Sequence, residues 1–530
     1  MIGIGKAPCD NTLIQHAAAS TPCPEGSKRW VLAAAIIGSS MAFIDGTVVN
    51  VALPAIQRDL HATAFQAQWV VESYALFLAA LLLVGGSLGD RFGRRRVFAA
   101  GVALFALASA GCAFATEVQH LIAARAVQGV GAALLVPGSL ALISAAFPEK
   151  ERGKAIGTWS GFSGITAAIG PVMGGWLVDH YSWIWAFLVN VPMALLVLGI
   201  VWRHVPESHG PNTSSPLDWR GAVLATLALG GIVYAFIEAP TQGWGAPLVA
   251  GAGVLGLVAG AAFVAVERRS RAPMLPLGLF RLANFGAANL LTLLLYAALG
   301  GGLYFLPLNL IQVQGYSATV AGAALLPFIL LMFLLSGWAG QLVDRFGPRL
   351  PLVIGPAVAG VGFALLALPG LQADYWTGFL PGVVVLGFGM TVTVAPLTTT
   401  VMNAVGPELA GTASGVNNAV SRAAAVLAIA VFGVVMAWAF DARLAEGLQA
   451  VGATPETVGY LQARRSQLAG IDLPPGTDAA TAAQLRQVVQ GAFVAGFRWI
   501  MGISAVLALL SALSAWWWIR RADPPALLKR

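Results

Sequence analysis

Gly86-Ser87-Leu88-Gly89-Asp90-Arg91-Phe92-Gly93 returns as Gly340-Gln341-Leu342-Val343-Asp344-Arg345-Phe346-Gly347, with the two aspartates 254 residues apart. A looser pair, Leu53-Pro54-Ala55-Ile56-Gln57 and Leu306-Pro307-Leu308-Asn309-Leu310-Ile311-Gln312, places its prolines 253 residues apart. Offsets agreeing to one residue point to two halves built alike. Each aspartate frame closes a long apolar segment, so the repeating unit is a set of such segments in the same order and orientation.

Working outward, the composition says what those segments are. The chain is 58% hydrophobic and 10% charged, against about 25% charged in soluble domains, which excludes a soluble protein. Cys9, Cys23 and Cys112 are too few and scattered for a disulfide framework, and no Cys/His cluster suggests a metal site. The first 27 residues lack the apolar core of a cleaved signal peptide. A bilayer span needs about 20 mostly apolar residues, and fourteen such segments are found: about 30–51, 68–88, 97–116, 121–143, 155–178, 183–203, 219–238, 247–266, 284–311, 318–342, 350–370, 376–400, 410–437 and 491–518. The stretch 282–343 has no charged residue and is divided at Gln312–Ser317.

An even number of spans puts both termini on one side. Loops on that side hold 22 Lys/Arg and the opposite loops 6, so the positive-inside rule makes the termini cytoplasmic in the cytoplasmic (inner) membrane. The fold expected is an all-α membrane protein with a six-helix bundle at 30–203, two inserted helices at 204–283 and a second bundle at 284–518, flanked by tails at 1–29 and 519–530. The far-side loop 441–490 carries the helix-start signal Thr454-Pro455-Glu456 and reads as a solvated connector with a short surface helix.

Ionisable residues inside spans are costly and mark function. Asp45 stands alone in Phe43-Ile44-Asp45-Gly46-Thr47-Val48-Val49-Asn50, and Arg125 lies in Arg125-Ala126-Val127-Gln128-Gly129 of the fourth span. At 1.5 Å per residue their depths allow pairing. Glu72, Glu238 and Arg422 are possible proton or substrate relays, the two glutamates near the far ends of their spans, where water is close. The repeat offset carries Asp45 onto Ala298, so the second half offers no equivalent acid. The fifth span holds Gly164 and then Gly170-Pro171-Val172-Met173-Gly174-Gly175, a helix able to bend and to pack closely.

These motifs together resemble the fourteen-span drug:proton antiporter family of the major facilitator superfamily. The resemblance implies two six-helix bundles plus two inserted helices. It implies a conformational latch at Gly86, Asp90, Arg91, Gly93 and Arg94, proton coupling at Asp45 with Arg125, and an exporter signature at Gly164, Gly170, Pro171, Gly174 and Gly175. Asn50, Gln128, Phe162 and Tyr296 are candidates to line a substrate cavity. The expected function is proton-driven export of hydrophobic or amphipathic compounds by alternating access; an uptake symporter or facilitator for a nutrient or metabolite is the alternative the fold allows. No nucleotide-binding or catalytic motif occurs, so the energy source is a proton gradient with no cofactor, and an enzyme or scaffold lacks a constellation in its favour. The partners expected are small hydrophobic substrates, protons and the lipid bilayer, not nucleic acid; a periplasmic adaptor would leave no mark in the sequence.

Overall fold

A computed structural model describes residues 25–209, 218–270, 273–405 and 409–520; most of the two expected tails lies outside them. Every regular element among the described residues is helical. The long helices are α1 (Glu25–Asp59), α2 (Ala64–Phe92), α3 (Arg94–Ala113), α4 (Val118–Ala146), α5 (Glu149–His180), α6 (Ile184–His204), α7 (Trp219–Gln242), α8 (Pro247–Arg269), α9 (Ala283–Val313), α10 (Ala318–Gly340), α11 (Arg349–Leu366), α12 (Tyr375–Asn403), α13 (Ala410–Ala450) and α14 (Ala479–Trp518). Thirteen are long and apolar enough to cross a membrane, and α5 is a further helix of 32 residues. The protein is a multi-pass membrane protein.

Polar residues set the breaks. Thr63 opens α2 with a capping box to Gln66, Asp218 caps α7, Asp478 caps α14, and Ser317 caps α10 across the expected cut between spans nine and ten. Each satisfies amides that the first helical turn leaves free.

Several ends lie beyond the apolar segments: α1 runs to Asp59 rather than 51, and α13 to Ala450 rather than 437. In α1 the added turns, Ala52-Leu53-Pro54-Ala55-Ile56-Gln57, are mostly apolar and buried, so the end expected at 51 falls short; in α13 they alternate charged residues with the buried Ala439, Phe440, Leu444 and Leu448. Asp45 therefore lies deeper below the end of α1 than the apolar segment implied. Of the expected loop 441–490, only residues 451–478 connect the helices. Thr454 does cap a short helix, Pro455–Ala463. The connector is nevertheless not merely solvated, because Leu461, Leu468 and Ile471 are buried. Its Arg465–Gly470 turn packs against α1 and α2 as well as α13 and α14.

Here the face carrying residues 451–478 is called the loop face, and the opposite one the terminal face. Helices α1 to α6 pack together as one group, and α9 to α14 as the other. The two groups meet chiefly along α2 with α13 and α5 with α10, while α7 and α8 pack on each other and α7 closes the side of the α2–α13 seam.

Candidate functional site

Asp45 and Arg125 are in direct contact in the first group of helices. Asp45 Oδ2 accepts from Arg125 Nη1 at 2.5 Å, with the residues 0% and 1% exposed. Arg125 also donates from Nη1 to Gln128 Oε1 at 2.7 Å and from Nε to the Val70 carbonyl at 3.0 Å, and its guanidinium lies 4.2 Å from the centre of the Tyr74 ring. The second carboxylate oxygen of Asp45 accepts from Gln128 Nε2 at 2.8 Å and Asn190 Nδ2 at 3.3 Å. Ser109 accepts from both amides. Helices α1, α2, α3, α4 and α6 thus each contribute to one buried polar cluster. A buried ion pair is tolerable when its remaining donors and acceptors are satisfied, and this one is extensively bonded.

Sequence reasoning missed Ser109 and Asn190. Their only signal was polarity within apolar segments. Gln128, expected in a substrate cavity, belongs to this cluster instead, because the i,i+3 spacing from Arg125 puts both on one face of α4. Asn50 is half-buried and donates to the Gly46 carbonyl at 3.4 Å. Phe162 is exposed, and Tyr296 packs on the main core.

The fifth-span glycines mark close helix contacts. A Cβ on Gly170 would overlap the Thr47 hydroxyl, and one on Gly174 would lie 3.1 Å from Val48 Cα; both contacts are with α1. Gly175 faces α10 at Ala318, and Gly322 of α10 faces the Pro171 carbonyl. Gly164 is helical like its neighbours. At the end of α5, Asp179 accepts from Thr319 N at 2.8 Å, Thr319 Oγ1 at 2.5 Å and Ala318 N at 3.1 Å, so a carboxylate from one half caps a helix of the other. Partial burial pushes this carboxyl up, but the hydrogen bonds from Thr319 and Ala318 outweigh that and hold it below its ordinary value. Gln312 donates to Gln57 Oε1 at 2.9 Å and Gln68 to the Ile429 carbonyl at 3.0 Å. These contacts join the halves and close the loop face. Outside the seal is a cavity of about 790 Å³ lined in part by Arg58, Asp179, Gln312, Asp472 and Arg486, whose charges make it unlike an apolar substrate pocket.

One expectation about the relays changes. Glu72 is not at a wet rim: it is 0% exposed, because α13 of the other half covers that face of α2. Glu238 is half-buried and accepts from Trp69 Nε1 and Gln242 Nε2, each at 2.9 Å. Arg422 enters none of the ion pairs seen among the described residues, and its Nε has no hydrogen-bond partner there.

On the terminal face, Asp90 pairs with Arg94 at 2.8 Å, one turn along its own half. Gly93 sits between α2 and α3 at φ +107°, a conformation that suits glycine, and a Cβ there would meet the Glu207 carboxylate at 2.7 Å. Glu207 accepts from Arg95 N at 2.9 Å and was not foreseen, since nothing in the sequence links residues 112 apart. A Cβ on Gly86 would lie 3.6 Å from Pro137 Cβ of α4, an ordinary contact. Arg91 stacks on neighbouring Phe92. The Asp90–Arg94 pair is half-buried and lies within one turn of its own half, where such pairs are worth about 1 kcal/mol or less, so Asp90→Asn is expected to leave the fold and substrate affinity intact while reducing transport several-fold. Equal losses of transport and affinity in the purified protein would assign Asp90 to binding instead.

The family profile described as Major Facilitator Superfamily matches residues 35–429. The chain is 34% identical over 501 residues to the tetracenomycin C resistance and export protein of Streptomyces glaucescens, covering 93% of this chain and 92% of that one. It is also 34% identical over 507 residues to the multidrug efflux pump LfrA of Mycolicibacterium smegmatis, covering 95% and 98%, and 38% identical over 437 residues to the puromycin resistance protein pur8 of Streptomyces alboniger, covering 82% and 86%. In fold it resembles a bacterial homologue of the human lysosomal transporter Spinster, with a TM-score of 0.65 at 17% identity, covering 95% of this chain and 100% of that one.

Proposed function

We propose, since this chain belongs to the major facilitator superfamily, that it is a fourteen-span proton-coupled exporter of hydrophobic or amphipathic compounds. The observation that carries the reading is the Asp45 cluster: an acid inside the bilayer, tied through Arg125, Gln128 and Asn190 to four other helices. A proton gained or lost there changes the bonding of every helix in the cluster at once, which is what coupling an ion gradient to rocking of the halves requires. Export rather than uptake is supported by the relatives named for resistance and efflux and by the fifth-span glycines at the closed loop face. The test is transport in proteoliposomes: an imposed proton gradient should drive substrate accumulation against its own gradient, and adding substrate should release protons. Substrate movement that ignores the proton gradient would replace this reading with a facilitator.

The orientation proposed places the terminal face in the cytoplasm, in the inner membrane, from the 22-to-6 division of basic residues. Cysteines at Glu456 and Gly278 should be labelled by a membrane-impermeant maleimide only from outside and only from inside, respectively. The opposite pattern inverts the topology.

A further inference from the structure

Glu72 is the one acidic side chain among the described residues whose two carboxylate oxygens are both buried without a hydrogen-bond partner. One turn before it on α2, Gln68 bonds to Ile429 of α13; one turn after it, Leu76 packs in a core with Val426 of the same helix. Glu72 therefore lies on the face of α2 that meets the other half.

The other charged groups around α2 are occupied or displaced. Arg125 of α4 is held by Asp45 of α1, and Glu238 of α7 is held by Trp69 and Gln242. Arg465 of the connector pairs with Asp441 of α13 at 3.6 Å. Arg422 lies on the same stripe of α13 as Gly415, Val426, Ile429 and Gly433. Leu83 meets Gly415 and Gln68 meets Ile429, so this antiparallel register sets Arg422 opposite Leu76, about 6 Å along the axis from Glu72. No ion pair joins them in this structure. A carboxylate enclosed with neither hydrogen bonds nor a cation is tolerable only when it holds a proton.

We propose that Glu72 is a second proton site, separate from the Asp45 cluster, whose proton is required for the loop face to close. When the loop face parts, α2 and α13 separate there and Glu72 meets water, where it can lose or gain its proton. When the face closes, the proton is trapped. This rests on the reading of the chain as a proton-coupled transporter and adds a second site to it. Asp179, bonded to three donors and held in its ionised form, provides the seal; Glu72 provides its dependence on protons.

The test uses the full chain in lipid nanodiscs, with spin labels at Arg58→Cys and Arg443→Cys, exposed ends of α1 and α13, Cys9 and Cys23 replaced by serine and buried Cys112 retained. Between about pH 6 and about pH 9, the population with a long loop-face distance should rise roughly tenfold. In Glu72→Gln it should stay short throughout, and Glu72→Asp should restore the rise. A Glu72→Gln protein that follows the wild-type curve overturns the proposal.

A second measurement needs no variant at Glu72. Dicyclohexylcarbodiimide, which reacts with protonated carboxyls in apolar surroundings, should modify Glu72 of the wild-type chain, with the adduct falling roughly tenfold over the same pH range. An unmodified Glu72, or modification indifferent to pH, overturns the proposal. Asp45→Asn should keep the pH-dependent distance shift while losing gradient-driven export. If Asp45→Asn instead exports normally and Glu72→Gln stays closed, the Asp45 reading fails and the Glu72 site stands.

Discussion

Asp45→Asn is expected to abolish gradient-driven export while the protein still folds and inserts. Asparagine keeps the size of the side chain and one oxygen for Arg125, but it cannot exchange a proton. The cluster that ties α1 to α2, α3, α4 and α6 then has one charge state on both sides of the membrane, and nothing in it distinguishes a gradient from its absence. Coupled transport should fall by at least about a hundredfold, corresponding to about 3 kcal/mol of lost driving preference. Substrate-induced proton release should fall with it to the part that Glu72 supplies.

Arg125→Ala should be more damaging to the fold. It leaves Asp45 buried without its cation, and breaking one side of a buried pair costs about 3–5 kcal/mol. Its expected signature is reduced yield and thermal stability as well as lost transport. Gradient-driven export surviving in Asp45→Asn would move coupling elsewhere; thermal stability unchanged in Arg125→Ala would show that the pair is not a structural tie.

The fold and the site were legible in the sequence to different degrees. Span positions were legible because a bilayer demands long uncharged runs, and the repeat made the order of the halves legible because identical frames recur at one offset. Helix ends were not, since α1 and α13 continue past the expected span ends on faces packed inside the protein, at Leu53, Ile56, Leu444 and Leu448, and hydropathy alone does not register that packing. Asp45 and Arg125 stood out because a lone charge in an apolar run is conspicuous. Ser109 and Asn190 did not, being merely polar. Glu72 was placed at a wet rim because its distance from the end of a span says how deep it is, not what covers it. The cover is α13, some 350 residues later in the chain, and only packing between the halves reveals it. Asp179 was hidden for the same reason, since its partners at Ala318 and Thr319 belong to the other half.

Gly175→Val should hold the loop face open and cut export by about a hundredfold, the equivalent of about 3 kcal/mol against closure. The seal between α5 and α10 is made of backbone against backbone. A Cβ on Gly175 would overlap the Ala318 carbonyl oxygen and come within 2.6 Å of Thr319 Cα, and one on Gly322 would overlap the Pro171 carbonyl oxygen. A rigid carbonyl cannot swing aside as a side chain can, so the helices must separate by the width of the added group. Separation also withdraws Asp179 from the first amides of α10, removing a cap of about 0.5–2 kcal/mol. Asp179→Asn alone, which keeps an uncharged acceptor in place, should therefore shift the balance in the same direction but by less. Gly157→Ala on the same helix meets nothing within 4 Å and should transport normally. With the labels at Arg58→Cys and Arg443→Cys, Gly175→Val should show the long loop-face distance at every pH, the opposite of Glu72→Gln. A Gly175→Val protein that closes and exports like the wild type would mean that α5 and α10 do not form the gate.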